Sequence, residues 1–195
     1  MARILDNFPD SETDAPGTGT LVLAGGCFWC TEGVFRHMPG ITDVVSVYTG
    51  GDPARANYRE VCEGDTGHAE AIEIKYDTKK VSIGQILKTF FWLAHDPTQL
   101  NRQGNDAGTQ YRSAIFYAND DERDIAQKYI DQLNRAKIFD APVVTTLEPL
   151  GKLFPAEEYH QNYAALNPHQ GYIMAVANPK IEKTITIFGD KKKTA

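Results

Sequence analysis

Residues 21–35 read LVLAGGCFWCTEGVF, a short apolar run that reaches two glycines and opens at once onto a cysteine, two aromatics and a second cysteine. Such a run favours strand, the glycine pair permits a tight reversal, and no residues are left over for a loop. A strand at Thr20–Ala24 is therefore expected to turn directly into a helix over about residues 30–37, stopped at Pro39 and Gly40. That strand-turn-helix unit places Cys27 at the turn.

Strand and helix signals then alternate. ITDVVSVYTGG reads as a strand closed by Gly50 and Gly51, and a polar loop carrying Tyr58 and Cys62 leads into GHAEAIEIKYD. In that segment Ile72, Ile74 and Tyr76 share one face and Glu73 and Lys75 the other, so counting back by two puts Glu70 on the apolar face. Ser82 and Gln85 make a capping box before Ile83, Ile86, Leu87, Phe90 and Phe91, which predicts a helix over 82–94. After the long polar loop HDPTQLNRQGNDAGTQ, the apolar run YRSAIFYA predicts a strand covered on both faces. Ile125, Tyr129, Ile130 and Leu133 mark another helix, VVTTLEPL a strand, and PAEEYHQNYAAL a short helix begun by Pro155. The expected class is an α/β or α+β sandwich, one mixed sheet with helices packed on it, ending in a long irregular C-terminal segment.

With 195 residues, 42% of them hydrophobic, the chain can bury the core of one domain. That domain is expected at 19–187, between a mobile arm at 1–18 and a basic tail at 188–195. A net charge of −6 leaves no broad basic surface for nucleic acid or an anionic membrane. No apolar stretch approaches the roughly 20 residues that span a bilayer, and the first residues lack a secretory h-region, so a cytoplasmic protein is expected, and a monomer is the separate default expectation. Three cysteines, Cys27, Cys30 and Cys62, are too few and odd in number for a secreted disulfide framework. In a reducing compartment the Cys-x-x-Cys pair is expected to be redox-active or metal-binding.

A cysteine at a strand-to-helix junction meets unpaired amides and the positive end of the helix dipole, both of which favour thiolate. Cys27 is thus a candidate nucleophile; the bland reading makes it a small core residue after an ordinary turn. Phe28 and Trp29 are either core aromatics or walls for a small apolar group beside the sulfur. Cys30, at i+3, is within disulfide range, and a bond closing so small a ring suits one made and broken in turnover. Its alternatives are half of a zinc site, completed by Cys62 and a histidine, or an idle thiol. Glu70 is either a desolvated carboxyl able to donate a proton near neutrality or an exposed residue at a frayed strand end. The pair by itself also fits a dithiol oxidoreductase, and the zinc reading fits a non-enzymatic binding module.

GGCFWCTE, YREVCEGDTGHAEAI, HDPTQLNRQGNDAGTQYRS and FPAEEYHQNYAALNP together resemble the A-class peptide methionine sulfoxide reductases, over about residues 20–182. The resemblance implies an α/β sandwich on a ferredoxin-like split βαβ core and reduction of the S epimer of methionine sulfoxide, free or in oxidised proteins. It also implies that no metal or other cofactor is needed and that thioredoxin is the reductant. By the same resemblance Cys27 attacks the sulfoxide sulfur, Phe28 and Trp29 hold its methyl group, and Glu70 protonates its oxygen. Tyr58 and Tyr111 match hydrogen-bonding tyrosines, Asp106 a substrate-positioning residue and His160 a supporting one. The chain departs from many relatives in carrying Cys30 in place of glycine and Ile173 where a recycling cysteine is often found. Cys30 is then the expected resolving thiol, with Cys62 or an external thiol as the alternatives.

Overall fold

The computed structural model describes residues 8–189. β1 (Thr20–Gly25) turns at Gly26, whose φ of 81° suits glycine alone, into α1 (Phe28–Phe35), which starts two residues earlier than the spacing predicts. Next come β2 (Ile41–Thr49), the one-turn helix α2 (Tyr58–Val61) and β3 (Ala69–Tyr76). α2 stands where a polar loop was expected, because the Asn57 side chain accepts the Glu60 amide and caps it. α3 (Ile83–Thr89) begins at the expected capping box and continues through a wider π-type turn over Phe90–Ala94. The long polar loop folds back as a small ribbon, β4 (Arg102–Gln103) against β5 (Asp106–Ala107). β6 (Ser113–Tyr117), α4 (Asp120–Arg135), β7 (Thr146–Pro149), β8 (Phe154–Pro155), α5 (Tyr163–Leu166) and α6 (Asn178–Phe188) complete the order.

The main sheet runs β7-β6-β1-β3-β2-β8. β3 lies between β1 and β2, and β1 lies between β3 and β6, so β1-α1-β2 and β3-α3-β6 are two interlocked split βαβ units, the ferredoxin-like arrangement. Only β6 and β7 pair in parallel among the described strands, which makes the sheet mixed. The alternation read in β3 decides its faces. Leu21 and Leu23 of β1 stand beside Ile74 and Ile72, and that face carries the larger core, with Phe35, Ile86, Phe90 and Tyr129 from the helices. The opposite face, with Val22, Ala24, Ala71, Ala114 and Phe116, is a thinner layer covered by Leu150 and Leu153.

Three expectations are corrected. Pro155 does not begin a helix: lacking an amide hydrogen, it pairs opposite Val47 on the edge strand β8, and a 3-10 turn over Glu158–His160 precedes α5. The C-terminal stretch is not irregular, since a π-type turn over Ile173–Ala177 leads into α6. Its inward stripe includes Ala177 and Thr184, too weakly apolar to register as a period, and Pro179 signals a break although it sits in the first turn. Residues 8–18 are docked along the helices: Phe8 is buried against Trp92, Tyr129 Oη donates to the Pro9 carbonyl at 2.6 Å, and Asp14 accepts the Gly84 amide at 2.7 Å. Residues 1–7 and most of the basic tail lie outside the described residues.

Gly25 is dictated by packing. A Cβ there would lie 2.9 Å from ring atoms of both His95 and Phe90, which are buried. His95 is fixed in turn: Nδ1 donates to the Phe90 carbonyl at 3.0 Å and Nε2 accepts from Ser113 Oγ at 2.7 Å. Gly25→Ala is expected to cost about 1–3 kcal/mol from overpacking. A urea midpoint equal to that of the parent would contradict this close contact.

Candidate active site

The glycine turn delivers Cys27 to the N-cap of α1, where its carbonyl accepts the Cys30 amide at 3.1 Å. One helical turn therefore brings the two side chains together, close enough for each thiol to set the other's ionisation. Both are free and buried, whereas Cys62, at the C-cap of α2, is free and exposed.

Ionisation runs against the expectation from the helix terminus. Burial pushes the Cys27 thiol well up, the hydrogen bond to Cys30 and the charge of Glu70 add to that, and the Trp29 amide opposes it only weakly. Cys30 moves the other way, down to about 7, because Cys27 donates to its thiolate; that outweighs burial, and the charge of Lys180 assists. The pair thus shares one proton when it ionises once, with the charge on Cys30.

Glu70 lies on β3 opposite Tyr48 and is 2% exposed, so it is the desolvated carboxyl and not a frayed strand end. Its Oε2 accepts the Phe28 amide at 3.1 Å and its carboxylate meets the Cys27 thiol. Burial pushes the carboxyl up to about 8, and the charges of Asp106 and Cys30 push the same way, against the Phe28 and Cys27 hydrogen bonds. At neutral pH it holds its proton.

The two aromatics divide. Phe28 is buried between Tyr48 and His160, with ring centroids 5.7 and 5.2 Å away. Trp29 is half-buried, stacked on Tyr163 at 4.0 Å, and its indole N–H donates to His160 Nδ1 at 3.1 Å. Indole nitrogen only donates, so Nδ1 is bare and Nε2 carries the proton, facing Glu157 Oε2 at 3.7 Å. Burial holds His160 neutral. Glu157 also accepts the Tyr58 amide and the Tyr48 hydroxyl, each at 2.9 Å. The Tyr58 hydroxyl meets the Cys62 thiol, and burial together with nearby negative charge keeps both Tyr58 and Tyr111 protonated. Asp106, on β5, accepts from the Tyr172 hydroxyl, which is also 3.8 Å from Cys30 Sγ.

The structure therefore brings Cys27, Cys30, Phe28, Trp29 and Glu70 into one cluster, with Asp106, Tyr58, Tyr111, His160 and Cys62 around it. Sequence reasoning missed Tyr163, Tyr172 and Glu157. Tyr172 falls outside the quoted motifs, and the other two sit within one without any periodicity that marks a role. Among the described residues no three His, Cys, Asp or Glu side chains converge as metal ligands would, and no helix is long and apolar enough to cross a membrane.

The sequence model of the family described as peptide methionine sulfoxide reductase matches residues 19–192. The chain is 51% identical over 177 residues to peptide methionine sulfoxide reductase MsrA 2 of Mesorhizobium japonicum, covering 91% of each chain. It is 51% identical over 173 residues to MsrA of Nautilia profundicola, covering 89% of this chain and 98% of the other. In structure it is similar to Mxr1 from Saccharomyces cerevisiae in its reduced form, with a TM-score of 0.72 and 34% identity, covering 83% of this chain and 93% of that one.

Proposed function

The chain belongs to the peptide methionine sulfoxide reductase family and is a peptide-methionine (S)-S-oxide reductase, and on that premise we propose how its own residues carry the reaction. The observation that supports the scheme best is a protonated buried carboxyl, Glu70, in contact with the same cysteine that shares a proton with Cys30. A sulfoxide oxygen is a poor leaving group until it is protonated, and a neutral carboxylic acid flanked by phenol donors supplies that proton.

Cys27 attacks the sulfoxide sulfur as its proton crosses to Cys30, while Glu70 protonates the oxygen. Tyr58 and Tyr111 donate to that oxygen, Asp106 orients the substrate, and Trp29, backed by buried Phe28, bounds the methyl group. His160 takes a positioning role, holding the indole through its N–H. The oxygen ends on Cys27 as a sulfenic acid and methionine leaves. Cys30 then displaces that oxygen as water, forming the Cys27–Cys30 disulfide, which the dithiol of thioredoxin reduces. Substrates are methionine-S-sulfoxide, free and in oxidised proteins.

The cysteines are told apart by turnover with dithiothreitol and with thioredoxin. Cys30→Ser is expected to slow dithiothreitol-driven turnover, because Cys27 loses the thiolate that takes its proton, and to lose thioredoxin-driven turnover by at least about a further 100-fold, since an adjacent thiol acts at an effective concentration no external one reaches. Cys62→Ser is expected to keep both activities. Selective loss in Cys62→Ser would transfer the resolving role to that residue.

A further inference from the structure

Tyr172 bridges two residues that the scheme above uses at different times. Its hydroxyl donates to the Asp106 carboxylate and lies 3.8 Å from Cys30 Sγ, while its ring packs edge-on against Trp29 at 5.9 Å. A phenol has one proton to give, and here Asp106 receives it. In the contact with Tyr172 a protonated Cys30 is therefore the donor and the phenol oxygen the acceptor. Thiol, phenol and carboxylate stand in series, contributed by α1, the helical turn leading into α6, and β5.

The first half of the cycle leaves Cys30 in the wrong state for the second. It has taken the Cys27 proton, yet only a thiolate attacks sulfur. The hydrogen bond that most favours its ionisation, from the Cys27 thiol, is gone as well. In-line attack on a sulfenic acid requires its oxygen to point away from Cys30, so the S–OH cannot replace that bond. Resting on the assignment of Cys30 as resolving thiol, we infer that Tyr172 and Asp106 form the proton relay that activates Cys30 for disulfide closure.

The Cys30 proton passes to the Tyr172 oxygen as the Tyr172 proton passes to Asp106, which the departure of methionine has freed. The thiolate attacks Cys27, the S–S bond forms, the S–O bond breaks, and hydroxide leaves as water with a proton from Glu70, reprotonated by solvent. Cys30 sulfur is oxidised and Cys27 sulfur reduced, with no external oxidant. Burial keeps the Tyr172 phenol far above its ordinary range, so it transmits a proton without persisting as phenolate. The other ionisable groups facing Cys30 are Cys27, Glu70 and Lys180. The Lys180 ammonium, anchored on the Ala94 carbonyl at 2.9 Å, favours the thiolate but carries no exchangeable path to a base.

Tyr172→Phe keeps the ring and removes the relay. The test is a single turnover with one equivalent of methionine sulfoxide and no reductant, following methionine by chromatography, the Cys27 sulfenic acid as its dimedone adduct, and thiol loss by titration. At pH 7 the variant is expected to close the disulfide at least about 10-fold more slowly than the parent, with the dimedone adduct accumulating. A jump to about pH 8 after methionine has formed is expected to speed closure several-fold in the variant and little in the parent, because the unrelayed Cys30 thiolate grows tenfold per pH unit while about half of Glu70 still holds its proton. Closure at the parental rate and pH profile overturns the inference. So does an equal slowing of methionine formation and closure that no pH jump relieves, which is the mark of a structural role alone. Cys30→Ser run alongside separates the two levels: if it still closes a disulfide, through Cys62, the resolving assignment fails and the relay falls with it.

Discussion

Cys27→Ser is expected to lower methionine formation by at least about 10⁴-fold, to the level of the uncatalysed background, in single and multiple turnover alike. The hydroxyl is far less acidic than the thiol and cannot form the sulfenic acid that carries the oxygen away. The loss is expected equally with dithiothreitol and with thioredoxin, which distinguishes it from loss of the resolving thiol. Cys30 supplies a demanding control, since in the parent it is the more acidic of the two sulfurs and it remains in place in the variant. If Cys27→Ser still makes one methionine per protein and acquires a sulfenic acid on Cys30, the two assignments exchange. If it makes none, low thiol pKa alone does not choose the nucleophile; access to the substrate beside Glu70 does.

Glu70→Gln is expected to slow methionine formation about 10²–10⁴-fold while leaving substrate affinity nearly unchanged, because the amide fits the same space and cannot release a proton. The pH profile carries the sign. Catalysis needs the pair ionised once, which Cys30 achieves above about 7, and Glu70 protonated, which it is below about 8. The parent rate should therefore rise to a maximum between these values and fall tenfold per pH unit beyond about 8. In Glu70→Gln the falling limb should vanish. Stability has the matching dependence. The carboxyl binds its proton more tightly folded than unfolded, so its contribution is fully present below about 4.5 and is lost as pH rises through about 8. Urea unfolding at pH 6 and pH 9 should show the parent losing stability and Glu70→Gln losing less. A parent profile flat across pH 8, with the variant as fast as the parent, would remove Glu70 from the acid role.

Much of this was legible in the chain. The apolar alternation through Ile72, Ile74 and Tyr76 set the faces of β3 and put Glu70 on the core side, and Ser82 with Gln85 marked the start of α3. The glycine pair and the cysteines around Phe28 and Trp29 announced a strand-turn-helix junction. These are properties of neighbours within about four residues, where pleat and helix period act directly on the backbone. The weak stripe of α6 and the edge position of Pro155 were hidden because the packing partner, and not the local pattern, decides them: Ile181 of α6 lies where a Cβ on Gly33 of α1 would sit, at 2.5 Å.

The ionisation of the site belongs to the tertiary structure alone. From sequence, a cysteine at a helix N-terminus reads as a thiolate, yet burial contributed by surrounding elements outweighs the terminal amides and gives the charge to Cys30. His160 reaches Trp29 across 131 positions and Tyr172 reaches Asp106 across 66, distances over which the chain carries no local signal. Residue types, their order and their preferred backbone states were determined by the sequence itself. Which group holds a proton depends on desolvation and charge summed over everything packed around it in space, and only the folded chain brings those groups together.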